Sequence, residues 1–319
     1  MSNDTTSLLK SIRGHTQLPT AQITFDDVTA LELATEEMNS YLLPTLMQER
    51  QEFWTGPTAT VRYDVVNGQQ TYPIPTRAVG AKVRAARLLD VVGTPYNLAN
   101  YELEDINRWQ QDVGSPGGIC MQGNQMRVFP TPRNLPGYTL EVQYYLRPAA
   151  LAPLTAVGIV AIPPVVTATT TTIQFLYTGP DGDSIWGDTA TVDVVSHLPI
   201  FDTTVLEVAP TTFDVITPGT LYEYVIPGAY SVQVGDYVCL PDTAPVVQAP
   251  LEWWPLLALK VAVRQLASVG DVQLANLKAS ELKEKEGKVG ITIRPRREDA
   301  GRKVRNGTAK WRSGVAGSW

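Results

Sequence analysis

Hydrophobic and polar positions along the chain recur with two different periods, and each period predicts its own kind of element. Between residues 24 and 53, Val28, Leu31, Thr35, Met38 and Leu42 fall at helical spacing and form one largely apolar stripe. Thr24 with Asp27 resembles a capping box that has Asp in place of Glu, and Asp26 and Asp27 suit the positive end of a helix. Pro44 should kink or split that helix, because it has no N–H to give. Over residues 61–65 apolar and charged residues alternate, which predicts a half-buried strand. Asn67-Gly68 then reads as a hairpin turn, since both residues tolerate positive φ. A strand is expected over 82–92, and a short helix over 101–110 with Leu103, Ile106 and Trp109 near one face. Gly123-Asn124, between Ile119/Met121 and Met126/Val128, predicts a second hairpin. Over 139–146, Leu140, Val142, Tyr144 and Leu146 point one way, with Glu141 and Gln143 opposite.

Further on, short β candidates at 173–177, 192–194, 205–208, 222–226 and 232–240 are separated by Thr, Pro, Gly and Asp. That spacing predicts a small antiparallel sandwich or barrel, inserted between a strand and a helix. From residue 251 the helical period returns, with Leu256, Leu259, Val263, Leu266 and Ala267 on one face. A break at Gly270-Asp271 precedes a second helix over 272–286, with Leu274, Leu277 and Leu282 apolar. Residues 291–319 hold few core formers and read as an extended arm. The fold expected is therefore α+β. A discontinuous helical core with small β hairpins and sheet (1–151 and 249–290) carries an inserted β-sandwich or barrel module (152–248) and a basic C-terminal arm (291–319).

Charge sharpens this division. Residues 148–259 are 112 consecutive positions without Lys or Arg, yet they hold eleven acidic residues. Residues 1–250 carry a net −13 and residues 251–319 a net +7. Such a chain is built from blocks that face different neighbours, which suits an assembly component better than an enzyme. Two cysteines, Cys120 and Cys239, lie far apart with no CxxC, so neither a disulfide framework nor a zinc site is expected and a reduced, cytosolic place of synthesis fits. Two histidines exclude a His-rich metal centre within one chain. No signal peptide is expected at the N-terminus. Pro153, Pro163 and Pro164 interrupt the longest apolar run, so no membrane helix is expected there.

Candidate chemistry is sparse. Asp181, Asp183 and Asp188 could offer carboxylates to Ca²⁺ or to acid/base work, but the twelve-residue loop with a terminal Glu is missing and a solvated acidic turn is expected. His197, in an apolar strand context, is expected to be partly buried with a local hydrogen bond. There is no GxSxG, GxxxxGK[ST] or HExxH. Gly114 to Gly118 reads as a loop rather than a phosphate cradle. No catalytic, cofactor or metal site is assigned. Tyr177, Trp186, Trp253 and Trp254 would be the sugar-stacking platforms if the chain were a carbohydrate-binding tail or fibre component. In the arm, Arg294, Arg296, Arg297, Arg302, Lys303, Arg305, Lys310, Trp311 and Arg312 suit either a nucleic-acid backbone or an acidic protein partner. The chain's acidic total, with a pI near 5.1, favours the protein partner.

Several segments in order carry a resemblance. They are the acidic N-terminal helix followed by Tyr63-Asp-Val-Val-Asn-Gly-Gln-Gln-Thr-Tyr-Pro-Ile-Pro75, then Gly123-Asn-Gln-Met-Arg-Val-Phe-Pro-Thr-Pro132 leading to Leu140-Glu-Val-Gln-Tyr-Tyr-Leu-Arg-Pro148. Val234-Gly-Asp-Tyr-Val-Cys-Leu240, the helix ending in Ser268-Val-Gly-Asp271, and Ile293-Arg-Pro-Arg-Arg297 complete them. Together they resemble the head-to-tail adaptor (neck) proteins of tailed bacteriophages. The resemblance implies a structural virion protein, made in the host cytoplasm and placed in the neck. It implies a ring of copies, twelve in number, beneath the portal protein, which extends the DNA channel and receives tail or nozzle proteins. DNA would pass without sequence-specific binding, no membrane would be involved, and the basic arm would dock on the portal.

Overall fold

The computed structural model describes residues 4–17, 26–49, 60–102, 113–180, 182–187, 191–197 and 203–293. The fold is mixed α+β. Its first helix, α1 (Thr5–Thr16), was not anticipated from the periodicity. Asp4 caps it by accepting from the Ser7 N–H at 2.7 Å, and Leu8, Leu9 and Ile12 form a short buried face. The second, α2 (Asp27–Glu37), is capped by Asp26, whose carboxylate accepts from the Thr29 N–H, so the cap is Asp26 rather than Thr24. The helix is split ahead of Pro44, as expected. It widens into a π-turn, Met38–Leu42, before α3 (Leu43–Glu49). The Leu43 N–H reaches back five residues to Met38 O, and the wider register absorbs a residue that cannot donate. Residues 50–53 of the expected helix lie outside the described residues.

Two four-stranded sheets follow, and they share a core. One runs in the order Thr60–Asp64, Thr139–Leu146, Ala78–Leu89, Pro95–Asn97, the other Thr71–Pro73, Gln125–Phe129, Gly118–Gln122, Ala99–Asn100. The Gly123 turn closes the second hairpin as expected, with Gly123 at φ +59. Asn67-Gly68 is also a turn, but the strands flanking it do not pair with each other: Thr60–Asp64 pairs with Thr139–Leu146, and Thr71–Pro73 with Gln125–Phe129. The turn links two sheets, because each short strand finds a longer distant partner. Tyr72, Leu88, Ile119, Met126, Val128, Leu140 and Val142 fill the space between them. Most of the helix expected at 101–110 lies outside the described residues.

The third sheet has seven strands, all paired antiparallel, in the order Thr203–Val208, Val192–Val195, Tyr237–Cys239, Gly158–Val166, Thr170–Leu176, Leu221–Pro227, Thr212–Thr217. It is a single curled sheet, half of a barrel. Of the expected sandwich or barrel, the sheet is a half-barrel and not a two-sheet sandwich: one sheet suffices because a cluster of aromatic rings packs on its inner side. Phe175, Tyr222, Tyr224 and Trp186 are fully buried there, with Phe175 and Trp186 centroids 5.2 Å apart at 72°. A short helix, α4 (Gly182–Gly187), delivers Trp186, whose carbonyl accepts from Tyr224 Oη at 2.5 Å. Gly158 is required on this side, because a Cβ would come within 2.3 Å of the Phe175 ring. Pro163 and Pro164 fall in a register shift between the paired residues Ile162 and Val165, where no ladder N–H is needed.

The chain then enters α5 (Trp254–Val269), ends it on Gly270 at φ +88, and runs on as α6 (Val272–Ile293). Leu256, Leu257, Leu259 and Val261 of α5 pack among α1, α2 and α3, together with Trp253 and Trp254.

Candidate functional site

The chain crosses between the helical part and the seven-stranded sheet twice, and the two crossings lie side by side. Ala150-Leu151 pairs in parallel with Thr243-Ala244. The Ala150 N–H donates to Asp242 O at 2.7 Å and the Ala152 N–H to Ala244 O at 3.0 Å. The start of α1 fastens both: the Thr5 N–H donates to Pro245 O, and its hydroxyl donates to Ala152 O.

Arg77, at the start of strand Ala78–Leu89, completes the junction. Its guanidinium is 1% exposed. Nη1 lies 2.8 Å from Oδ2 of Asp193, a carboxylate of the seven-stranded sheet with no exposure, and Nε lies 2.7 Å from Oδ1 of the half-exposed Asp242. Asp193 also accepts from the Asp242 N–H at 3.1 Å. Since the 112-residue stretch has no cation of its own, its buried carboxylate takes one from outside. Such a triad contributes little net stability, but removing a partner strands a buried charge.

Acid/base and nucleophilic chemistry find little support. Burial pushes the Cys239 thiol well up, with Asp193 adding to the effect, and burial raises Cys120 as well. Both thiols are therefore held protonated and poorly nucleophilic. His197 is partly buried with a local partner, as expected: Nδ1 lies 2.8 Å from Oδ1 of Asp236, which also accepts from the His197 N–H. Of the acidic turn, Asp181 and Asp188 lie outside the described residues, and among the described residues no group of three His, Cys, Asp or Glu could hold a metal. The four candidate sugar platforms are core residues. Trp186, Trp253, Tyr177 and Trp254 are 0%, 2%, 3% and 8% exposed, so none offers a ring face to a sugar. Sequence alone places these rings by type and not by environment.

The remaining charged features lie on the surface. On the first sheet, Arg62, Glu141 and Arg87 stand in one row across three strands, on the face away from the core. Arg62 donates to Glu141 Oε2 from Nε at 3.1 Å and from Nη2 at 3.0 Å. A cleft of about 560 Å³ beside α1 is lined by Leu9, Lys10, Arg13, Asp27, Pro153 and Leu154, with Arg13 paired to Asp27. On α6, Lys285 and Lys278 hold the Glu281 carboxyl down at about 2. No helix is long and apolar enough to cross a membrane among the described residues. The nine arm residues, Arg294 to Arg312, lie outside the described residues.

No curated protein matches the chain. The model of the SU10 adaptor protein family matches residues 6–168, half of its length, from α1 through both smaller sheets and into the first strand of the third. The chain belongs to the SU10 adaptor protein family, structural adaptor proteins of phages, and the likeness to a head-to-tail adaptor stands.

Proposed function

We propose that the protein is a head-to-tail adaptor that forms a ring of twelve beneath the portal protein, extends the DNA channel and offers the platform on which tail or nozzle proteins assemble. The family match over residues 6–168 carries this reading. In the same reading the protein is not an enzyme. The family match, to structural adaptor proteins, supports that. It is a virion component of the neck, made in the host cytoplasm. Residues 1–151 and 249–290 serve as the adaptor core, and residues 152–248 as an inserted module. The adjacent crossings at Ala150-Leu151 and Thr243-Ala244 support that division, because tolerated insertions join at closely spaced ends. A net acidic bulk suits a conduit through which DNA slides without sticking. The basic segment, with Arg294, Arg296, Arg297, Arg302, Lys303, Arg305, Lys310 and Arg312 and the apolar Trp311, docks on the portal through charge-assisted pairs.

The test is a phage lacking this protein. DNA-filled heads that carry a portal and no tail are expected, with tails joined again when the protein is added. Normal virions without the protein would contradict the reading. Protein truncated after Gly290 should keep its helical circular-dichroism signal and fail to attach to portal-bearing heads. Attachment at normal affinity would remove the arm as the docking element.

A further inference from the structure

Among the described residues two strand faces carry exposed side chains, and they are complementary. The first is the outer side of the seven-stranded sheet. Half of that side is covered: Val195, Cys239 and Tyr237 pack against Ala149, Val157, Ala244 and Val246 at the junction. The other half, over strands Gly158–Val166, Thr170–Leu176, Leu221–Pro227 and Thr212–Thr217, is open. Ile159 pairs with Leu176 there, and Ile162, Val165 and Leu176 are all exposed. In the middle, Asp214 stands directly opposite Glu223, with Gln174 beyond it donating to Glu223 at 2.6 Å. Like charges opposed across a ladder are unfavourable, and no Lys or Arg exists in this stretch to relieve them.

The second face belongs to the sheet that carries Arg62 and Arg87. One end of it is covered by the helices, through Tyr145 and Val79. The rest is open. A register shift between Gln143 and Tyr144 brings Lys82 onto the side that Arg87 shares, with Arg84 in the shift itself. Arg62, Lys82, Arg84 and Arg87 outnumber Glu141 and Asp64 on these strands. Beside them stands an apolar tip. Asp90 builds a tight turn by accepting from the Val92 and Thr94 N–H groups at 2.9 and 2.7 Å. The turn displays Val91 and Val92, the latter 90% exposed. Each face thus combines charge with apolar surface, as protein interfaces do.

We infer that these faces bind each other between neighbouring copies, the cationic strand face and Val91-Val92 tip of one subunit seating on the open Asp214/Glu223 half-sheet of the next. The proposal rests on the ring reading and names its lateral contact. It is heterologous, head to tail, so it propagates around a ring. Nucleic acid is the poorer occupant of the cationic face, because Glu141 and Asp64 are interspersed and the chain as a whole is acidic. A second copy always brings the matching carboxylates.

The test uses the full chain with the face charges reversed. One variant carries Lys82→Glu and Arg84→Glu, the other Asp214→Lys and Glu223→Lys. Sedimentation equilibrium should show a wild-type mass rising with concentration above the 34.9 kDa monomer. Each variant alone should associate about a hundredfold more weakly or worse, since like charges now meet. Mixed one to one, the two variants should associate again, because each restores the charge pattern the other lost. Circular dichroism of each variant checks that the fold is kept. If a variant fails to fold, Val92→Asp and Ile159→Asp replace it, and each should weaken association on its own. A wild type that stays monomeric at every concentration overturns the proposal. So does association that the reversals leave unchanged, or variants that stay apart when mixed. Loss of duplex DNA binding by the Lys82/Arg84 variant, with self-association intact, would give the face to nucleic acid and also overturn it. Failure to attach to heads with this pattern intact would count against the adaptor reading and not against the contact.

Discussion

In the helical part, cations and carboxylates of different helices face each other. Arg264 of α5 reaches Glu36 and Glu37 of α2 at 2.6 and 3.3 Å, Glu286 of α6 accepts from Tyr41 of the π-turn, and Lys260 sits 4.7 Å from the Tyr41 ring centroid. Within α6, Glu281 is flanked by Lys278 and Lys285. The seven-stranded sheet has no such means. Among the described residues its carboxylates are served by backbone N–H groups, by Gln174, by His197 and by a borrowed cation, Arg77, and its interior is held by rings: Phe175 touches Trp186, Tyr222 and Tyr224, and Phe213 stacks on Tyr222. A chain segment without Lys or Arg can still fold if aromatic burial, about 1.5–3 kcal/mol per fully buried large side chain, takes the role that packing plus ion pairs fill elsewhere. One consequence is that its carboxylates and its open face depend on outside partners.

Removal of the seven-stranded sheet should have the largest effect. Replacing residues 152–248 with a short linker should leave the helices and two smaller sheets folded, at the cost of Arg77 losing Asp193. Calorimetry should then lose one transition and keep another. Collapse of the helical circular-dichroism signal would mean that the two parts fold only as one.

Phe175→Ala comes next, with an expected loss of about 3–5 kcal/mol for an aromatic of this size in a closed core. The near-ultraviolet circular dichroism of the Trp186 environment should weaken first. If the helical signal melts in step with it, the rings do not hold a separate unit.

Arg77→Met should cost a comparable amount, about 3–5 kcal/mol, because Asp193 stays buried without its partner. Adding Asp193→Asn should recover part of that loss in urea unfolding. A double variant no more stable than the single one would show that Asp193 finds another partner.

The smallest effect is on α6. The folded carboxyl of Glu281 titrates at about 2 against an ordinary 4.5, held down by Lys285 and Lys278. A depressed carboxylate contributes stability above its unfolded value, and that contribution fades as pH falls from 4.5 towards 2. For a partly exposed pair the effect is a few tenths of a kcal/mol. Glu281→Gln should remove it, lowering thermal stability by that small amount at neutral pH, leaving stability near pH 2 unchanged and flattening the slope between.

Strict periodicity was the legible part. The alternation at 139–146 and the Gly123 hairpin appear where the sequence places them, because side-chain period and turn chemistry are local. The strand Gly158–Val166 was not legible, since Pro163-Pro164 argues against a ladder unless a register shift receives them, and only the partner strand reveals that shift. Asn67-Gly68 forms the turn its residues dictate, but distant strands outcompete the neighbour for pairing. α1 is too short for a sustained periodicity, and only the Asp4 cap and the Leu8/Ile12 spacing mark it. At the junction, the long absence of Lys and Arg was itself a signal. A carboxylate buried in such a stretch must borrow its cation, and Arg77 supplies it from outside.

The adaptor assignment is tested most directly by the mass of the complex that the full-length protein forms with purified portal rings. The account predicts a stable complex holding twelve copies per portal ring, which persists in gel filtration and shows a continuous central channel by electron microscopy. A protein that stays unbound at every concentration, or binds as isolated copies without closing a ring, would contradict it.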